Sequence, residues 1–130
     1  MRLLLDTHVA IWAVLGDSRV TRHALDLLED DANEVFVSAV SLWEIAIKRR
    51  LAHRASSMPI HPAQAVDAFR RAGFGLLSVT ADHAIAVERL PMIHRDPFDH
   101  LLLAQALSEP MRLVTHDARL AGYDSSVMRV

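Results

Sequence analysis

The 130-residue chain contains no cysteine. Disulfide bonds and thiolate metal sites are therefore excluded, and a reducing cytoplasm is the compartment that we expect. No apolar run approaches the roughly 18 residues that a membrane-spanning helix needs. The three leucines that precede Asp6 are too few for the apolar core of a signal peptide. These absences predict a cytoplasmic protein with neither a membrane anchor nor a covalent crosslink.

An excess of positive charge is also missing. Lys and Arg number 14 against 16 Asp and Glu, so the formal net charge is −2. The chain therefore lacks a global signature of nucleic-acid binding, and a polyanionic substrate would need a local source of positive charge. Hydrophobic residues make up 52% of the chain, which is typical of a globular protein. At this length we expect one domain spanning residues 1–130.

Short apolar runs alternate with segments of helical periodicity. Buried strands are predicted at residues 3–5, 35–37, 76–79 and 112–114, with a fifth at the sheet edge over 127–130. Helices are predicted at residues 8–15, 24–28, 40–47, 63–71, 80–90 and 97–107, with a loop over 55–62. This alternation predicts an α/β fold of three layers, α/β/α, around a mainly parallel sheet of four to five strands.

Four acidic residues follow or approach the predicted strand ends. Asp6 and Asp117 come just after strands, Glu44 lies about two turns into the helix after the second strand, and Asp99 begins the helix before the fourth. Parallel sheets bind ligands at the carboxyl ends of their strands. Carboxylates gathered there repel one another unless a cation is bound, and Mg²⁺ prefers oxygen ligands. The pattern therefore indicates metal-assisted hydrolysis of a phosphodiester.

Each acid also has a purely structural explanation. Asp6, Asp96 and Asp117 stand where the first residue of a helix needs a cap, and Asp96 precedes a proline suited to the first helical position. Glu44 could complete a capping box with Ser41. Taken singly, capping is about as good an explanation as catalysis. All four local contexts place the acids at one edge of the sheet, which favours a functional site over capping alone.

The neighbours of the acids allow more than one interpretation. His8, His94, His100 and His116 could bind a metal, contact RNA or simply be exposed. Trp12 and Trp43 occupy apolar helical faces and are expected in the core. A basic run that follows Glu44 either forms a solvated helix end or contacts a phosphate backbone; its candidate contacts are Lys48, Arg49 and Arg54.

Four blocks of the sequence resemble one protein family. They are Leu3–Trp12 (LLLDTHVAIW), Ser38–Lys48 (SAVSLWEIAIK), His94–Ala106 (HRDPFDHLLLAQA) and Leu113–Asp117 (LVTHD). In this order and spacing they are similar to PIN domains, and most closely to the VapC-type toxins of bacterial toxin–antitoxin pairs. The resemblance extends from residue 3 to residue 117, nearly the whole chain.

The resemblance implies an endoribonuclease that depends on Mg²⁺, for which Mn²⁺ can substitute. It also implies a homodimer that a cognate VapB-like antitoxin inhibits. By position, the acids that match the catalytic, metal-binding cluster of the family are Asp6, Glu44, Asp99 and Asp117. Residues that match supporting positions are Thr7, Asp96 and Thr115.

Three alternatives stay open at this point. The first is a PIN-like nuclease that acts in RNA processing or on DNA outside a toxin pair. The second is a receiver-like phosphorelay module, which needs a phosphoacceptor aspartate after a middle strand and a lysine after a late one. Neither residues 78–80 nor residues 114–116 supply these. The third is a catalytically inactive binding module. The presence of all four acids argues against it.

Overall fold

A computed structural model of the protein describes residues 1–51, 58–91 and 96–130. Its strands are β1 (Arg2–Leu5), β2 (Glu34–Ser38), β3 (Gly75–Leu77), β4 (Arg112–Thr115) and β5 (Val127–Arg129). Its helices are α1 (Thr7–Leu15), α2 (Arg22–Glu29), α3 (Ala39–Leu51), α4 (Pro62–Arg71), α5 (Ala81–Val87), α6 (Pro97–Ser108) and α7 (Ala118–Ala121). In the described ranges, none of the helices has the length and apolar character needed to cross a membrane.

The strands form one sheet in the order β3-β2-β1-β4-β5, and every pair is parallel. The central strand, β1, buries Leu3, Leu4 and Leu5 completely. Leu3 and Leu5 belong to a core cluster with Phe69 of α4, whereas Leu4 belongs to a second cluster with Leu103 of α6. Each such leucine contributes about 1.5–3 kcal/mol to folding. Helices therefore cover both faces of the sheet, which confirms the predicted three-layer α/β/α architecture.

The helix ends follow the local signals in the sequence. Asp6 caps α1, its Oδ1 accepting the Thr7 N–H at 2.7 Å. Gly16 ends this helix with a φ of 67°, a left-handed conformation that glycine adopts without strain. The Ser38 hydroxyl accepts the Val40 N–H at 3.0 Å at the start of α3. The capping box considered for Ser41 and Glu44 is therefore wrong, because Ser41 lies inside α3.

Several predicted boundaries differ from the structure by a few residues. Strand β3 spans Gly75–Leu77 rather than residues 76–79, and α5 ends at Val87 rather than at residue 90. A Cβ atom at position 75 would lie 2.8 Å from the ring of Phe36, so glycine lets this edge strand approach β2. The exposed Val79 lies beyond the strand because no partner continues the sheet there. An apolar run alone does not define the end of an edge strand.

Candidate active site

A cleft of about 230 Å³ opens at the carboxyl edge of the sheet. Strands β1 and β4 are neighbours at the point where the strand order changes direction, which is where α/β sheets bind ligands. The acids that line the cleft are Asp6, Glu44, Asp96, Asp99 and Asp117. The other lining residues are His8, Trp12, Lys48, His116 and Arg119. The structure thus brings together all four acids predicted from their positions, with Asp96 beside them.

Thr115 joins the two acids that follow β1 and β4. Its Oγ1 donates to Asp6 Oδ2 at 2.7 Å and accepts the backbone N–H of Asp117 at 3.0 Å. Burial raises the pKa of Asp6, and the Glu44 carboxylate adds to this, whereas the hydrogen bond from Thr115 opposes it. The threonine therefore fixes the orientation of one acid and favours its ionised form.

Thr7 and Lys48 hold Glu44 in the same way. Thr7 Oγ1 lies 2.7 Å from Glu44 Oε1 and 2.8 Å from Ser41 Oγ, all within the interior. Lys48 Nζ, one turn along α3, pairs with Glu44 Oε2. Burial alone lowers the pKa of Lys48, but the hydrogen bond and charge of Glu44 outweigh it, and its pKa is raised. The buried Glu44 carboxylate thus has a charged partner.

The two acids of α6 have different surroundings. Asp96 is the N-cap, and its Oδ1 accepts the N–H of Phe98 at 2.9 Å and that of Asp99 at 3.4 Å. Asp99 is 7% exposed in the first turn. Burial raises the pKa of Asp99 to about 8, and the charges of Asp6, Asp96, Glu44 and Asp117 all act in the same direction. The cleft therefore concentrates more negative charge than Lys48 and Arg119 neutralise.

This set of donors fits a hard divalent cation. The lining offers carboxylate oxygens and, because the chain has no cysteine, no thiolate. Over the described ranges, no three Asp, Glu or His side chains lie close enough together to ligate one ion at once. A cation bound here would therefore keep part of its water shell, as Mg²⁺ does in most protein sites.

The structure does not place Arg49 or Trp43 where the sequence predicts them. Arg49 does not line the cleft; it donates to the carbonyl oxygen of Met58 at 2.5 Å and contacts His61. Arg54 and His94 lie outside the described residues. Trp43 is 52% exposed and packs edge-on against the ring of Phe98 at 5.0 Å, so its prediction as a core residue was wrong.

Sequence reasoning missed two features of the cleft. Arg119 pairs with Asp117 through Nη2 and Oδ2 at 2.8 Å, and no periodicity in the sequence signals this contact. The pairing of Lys48 with Glu44 has a recognisable signal, because residues four apart on a helix are neighbours. Both cations line the cleft in contact with an acid rather than forming a separate basic patch.

The sheet order, the acidic cleft and a family match together define the class of protein. Residues 3–125 match the family model described as PIN domain, and the chain belongs to this family. The receiver-like alternative is excluded, because receiver sheets have the strand order 2-1-3-4-5 whereas this sheet has the order 3-2-1-4-5.

Particular relatives cover nearly the whole chain. Ribonuclease VapC22 of Mycobacterium tuberculosis is 31% identical over 124 residues, which span 93% of this chain and 91% of that protein. The structure of VapBC2 from Rickettsia felis, bound to a promoter DNA fragment, is similar with a TM-score of 0.70 and 16% identity, covering 100% of this chain and 98% of that chain. VapC20 of M. tuberculosis, described as a sarcin–ricin loop cleaving toxin, has a TM-score of 0.55 and 23% identity, with coverages of 98% and 99%. At such identities the structural likenesses establish the fold.

Proposed function

We propose that the protein is a divalent-metal-dependent endoribonuclease and the toxin of a toxin–antitoxin pair. The observation that carries this proposal is the convergence of Asp6, Glu44, Asp99 and Asp117 on one cleft at the switch point of the sheet. Membership of the PIN-domain family and the similarity to a ribonuclease of the VapC type support the same conclusion.

Asp6 and Asp99 would hold a Mg²⁺ ion, or Mn²⁺ in its place, with Glu44 and Asp117 acting directly or through waters. When bound, the ion lowers the pKa of a water molecule and stabilises the charge that develops on the phosphodiester. Thr115 keeps Asp6 oriented, and Lys48 offsets the charge of the buried Glu44. Asp96 supports Asp99 by capping its helix.

The toxin role implies two protein partners, a second copy of the chain and a VapB-like antitoxin. Relatives of similar fold are described as toxin–antitoxin complexes, among them VapBC-5 of M. tuberculosis. We propose the cytoplasm as its location, in keeping with a ribonuclease that must reach cellular RNA. Growth arrest on expression, reversed by co-expression of a small protein encoded beside the gene, is the expected result for this role.

The activity is tested by incubating purified protein with total RNA and sequencing the 5′ ends of the products. Cleavage should stop in excess chelator and resume with Mg²⁺ or Mn²⁺. Asp6→Asn should reduce the rate by several orders of magnitude, whereas Asp67→Asn, at an exposed acid on α4, should not. Cleavage that persists in chelator, or in Asp6→Asn, contradicts the proposed chemistry.

A further inference from the structure

Trp12 lies between the acidic cleft and a second cleft. It is half-buried on α1 and lines both cavities, as His8 does. The second cavity is about 450 Å³, and its outer wall includes Arg19 and Pro59. A chain lying over the acids could therefore continue past Trp12 without leaving the protein surface.

Arg19 covers one face of Trp12. Its Cζ lies 4.3 Å from the centroid of the indole ring. Asp17 fixes the plane of the guanidinium, accepting from Nε at 3.0 Å and from Nη2 at 2.7 Å. The Arg19 side chain is nevertheless 59% exposed. A long surface side chain normally loses rotamer entropy when it is ordered on binding a ligand, and here the ordering precedes binding.

Backbone hydrogen bonds hold the loop that carries Asp17 and Arg19. Gly16 turns the chain at the end of α1, and the Asp17 N–H donates to the carbonyl oxygen of Trp12 at 3.0 Å. The Arg19 N–H donates to Asp17 Oδ1 at 2.9 Å. The hydrogen bonds from Arg19 lower the pKa of Asp17 to about 2, which favours the ionised carboxylate in this pair. The loop thus presents a flat cation beside the acidic cleft.

We propose that Trp12 and Arg19 form a nucleobase-binding subsite, which holds a nucleotide adjacent to the cleaved phosphodiester. Unpaired RNA bases stack on guanidinium planes as well as on aromatic rings, and the exposed face of Arg19 offers such a plane. Its positive charge also attracts the RNA backbone to the edge of a cleft that is otherwise acidic. The subsite rests on the proposed ribonuclease function and adds to it a contact with a base.

The positions of His8 and His116 agree with an RNA chain that runs from the acids to the subsite. Their rings lie 5.7 Å and 5.3 Å from the Trp12 ring, and both line the acidic cleft. They therefore stand between the acids and the subsite, where the sugar and phosphate of the bound nucleotide would pass. This gives the histidines beside Asp6 and Asp117 a role that the sequence left open.

The test uses an RNA that the protein cleaves, resynthesised with one abasic residue at each position near the mapped cut. With the wild-type protein, an abasic residue at one position adjacent to the cut should raise KM about 5- to 150-fold, the usual effect of losing one stacked base. Arg19→Lys keeps the charge but loses the plane, and Trp12→Leu removes the support beneath it. Both should raise KM for intact RNA by a similar factor and respond no further to that abasic residue.

Arg22→Lys is the matched control, since Arg22 is exposed, pairs with Asp26 and lines neither cleft. In a Trp43→Phe protein, quenching of Trp12 fluorescence by a short RNA in chelator gives a second readout that needs no cleavage. Absence of cleavage by the wild type contradicts the proposed function itself. Cleavage with an unchanged KM in Arg19→Lys, or with an unaltered abasic profile, overturns the subsite alone.

Discussion

Replacing Asp99 by asparagine should stabilise the metal-free protein, and increasingly so as the pH rises. The native pKa of Asp99 is about 8, against 3.8 for an ordinary aspartate. Between these values the native state holds a proton that the unfolded state has lost, so stability falls by up to about 1.4 kcal/mol per pH unit. The fall ends once the pH exceeds the native pKa. From pH 6 to pH 8 the wild type should therefore lose about 2 kcal/mol through this group, or roughly 6–10 °C in melting temperature.

Thermal melting in chelator across pH 5–9 measures this loss. The wild-type midpoint should fall towards pH 8 and then level, whereas Asp99→Asn should show a clearly smaller slope. Some slope should remain, because the pKa of Asp6 is also raised. Asp96→Ala, which removes a helix cap, should instead lose about 1 kcal/mol and keep most of the wild-type slope, reduced only by the loss of one charge that raises the pKa of Asp99.

Melting with added Mg²⁺ separates the two acids further. The ion should raise the wild-type midpoint, most at high pH where it need not displace a proton, and should do so much less in Asp99→Asn. Asp67→Asn should match the wild type throughout. Equal pH slopes in the wild type and Asp99→Asn would refute the electrostatic argument. A Mg²⁺ shift that Asp96→Ala loses and Asp99→Asn retains would show that the roles of the two acids are reversed.

Three further changes test other contacts. Neutralising the basic run in the triple variant Lys48→Ala, Arg49→Ala, Arg54→Ala should flatten the salt dependence of RNA binding by roughly 0.7 units of slope per lost phosphate contact. An unchanged slope would mean that Lys48 and Arg49 serve only their contacts with Glu44 and Met58. Thr115→Val should lower the free energy of unfolding by about 1–3 kcal/mol, seen as a lower melting midpoint, and should reduce cleavage, because it leaves the Asp117 N–H without its acceptor. A wild-type midpoint together with wild-type cleavage would contradict the role of this hydroxyl. Gln105→Leu should cost a similar amount, because the buried Ser38 hydroxyl donates to Gln105 at 2.6 Å, and an unchanged midpoint would argue against that bond.

The fold and the acids were predictable because their signals are local. An apolar run that ends in an acid, as at Asp6, identifies both a buried strand and the edge at which it stops. The proline after Asp96 identifies a helix start. The shared direction of parallel strands then brings these ends together without further information. A capping role does not exclude a place in the cleft, since Asp6, Asp96 and Asp117 cap helices and also line it.

Contacts made across elements were not predictable in the same way. The exposure of Trp43 depends on what covers α3, and helical periodicity carries no information about those neighbours. The stacking of Arg19 on Trp12 spans a glycine turn, where residues seven apart have no fixed geometry. Arg49 looks like a phosphate ligand in the sequence, yet its carbonyl acceptor at Met58 is nine positions away. Such contacts follow from the paths of loops, which composition and spacing do not specify.

The place of β1 at the centre of the sheet also has a consequence for biosynthesis. Its first neighbour, β2, emerges from the ribosome soon after it, but its second, β4, begins at residue 112. The bond from Thr115 to Asp6 spans 109 positions, and Asp117 follows still later. An unfinished chain therefore cannot assemble the cleft, however well its first half has folded. In a cell that translates this protein, the complete cleft forms only after Asp117 has left the ribosome, well after β1 and β2.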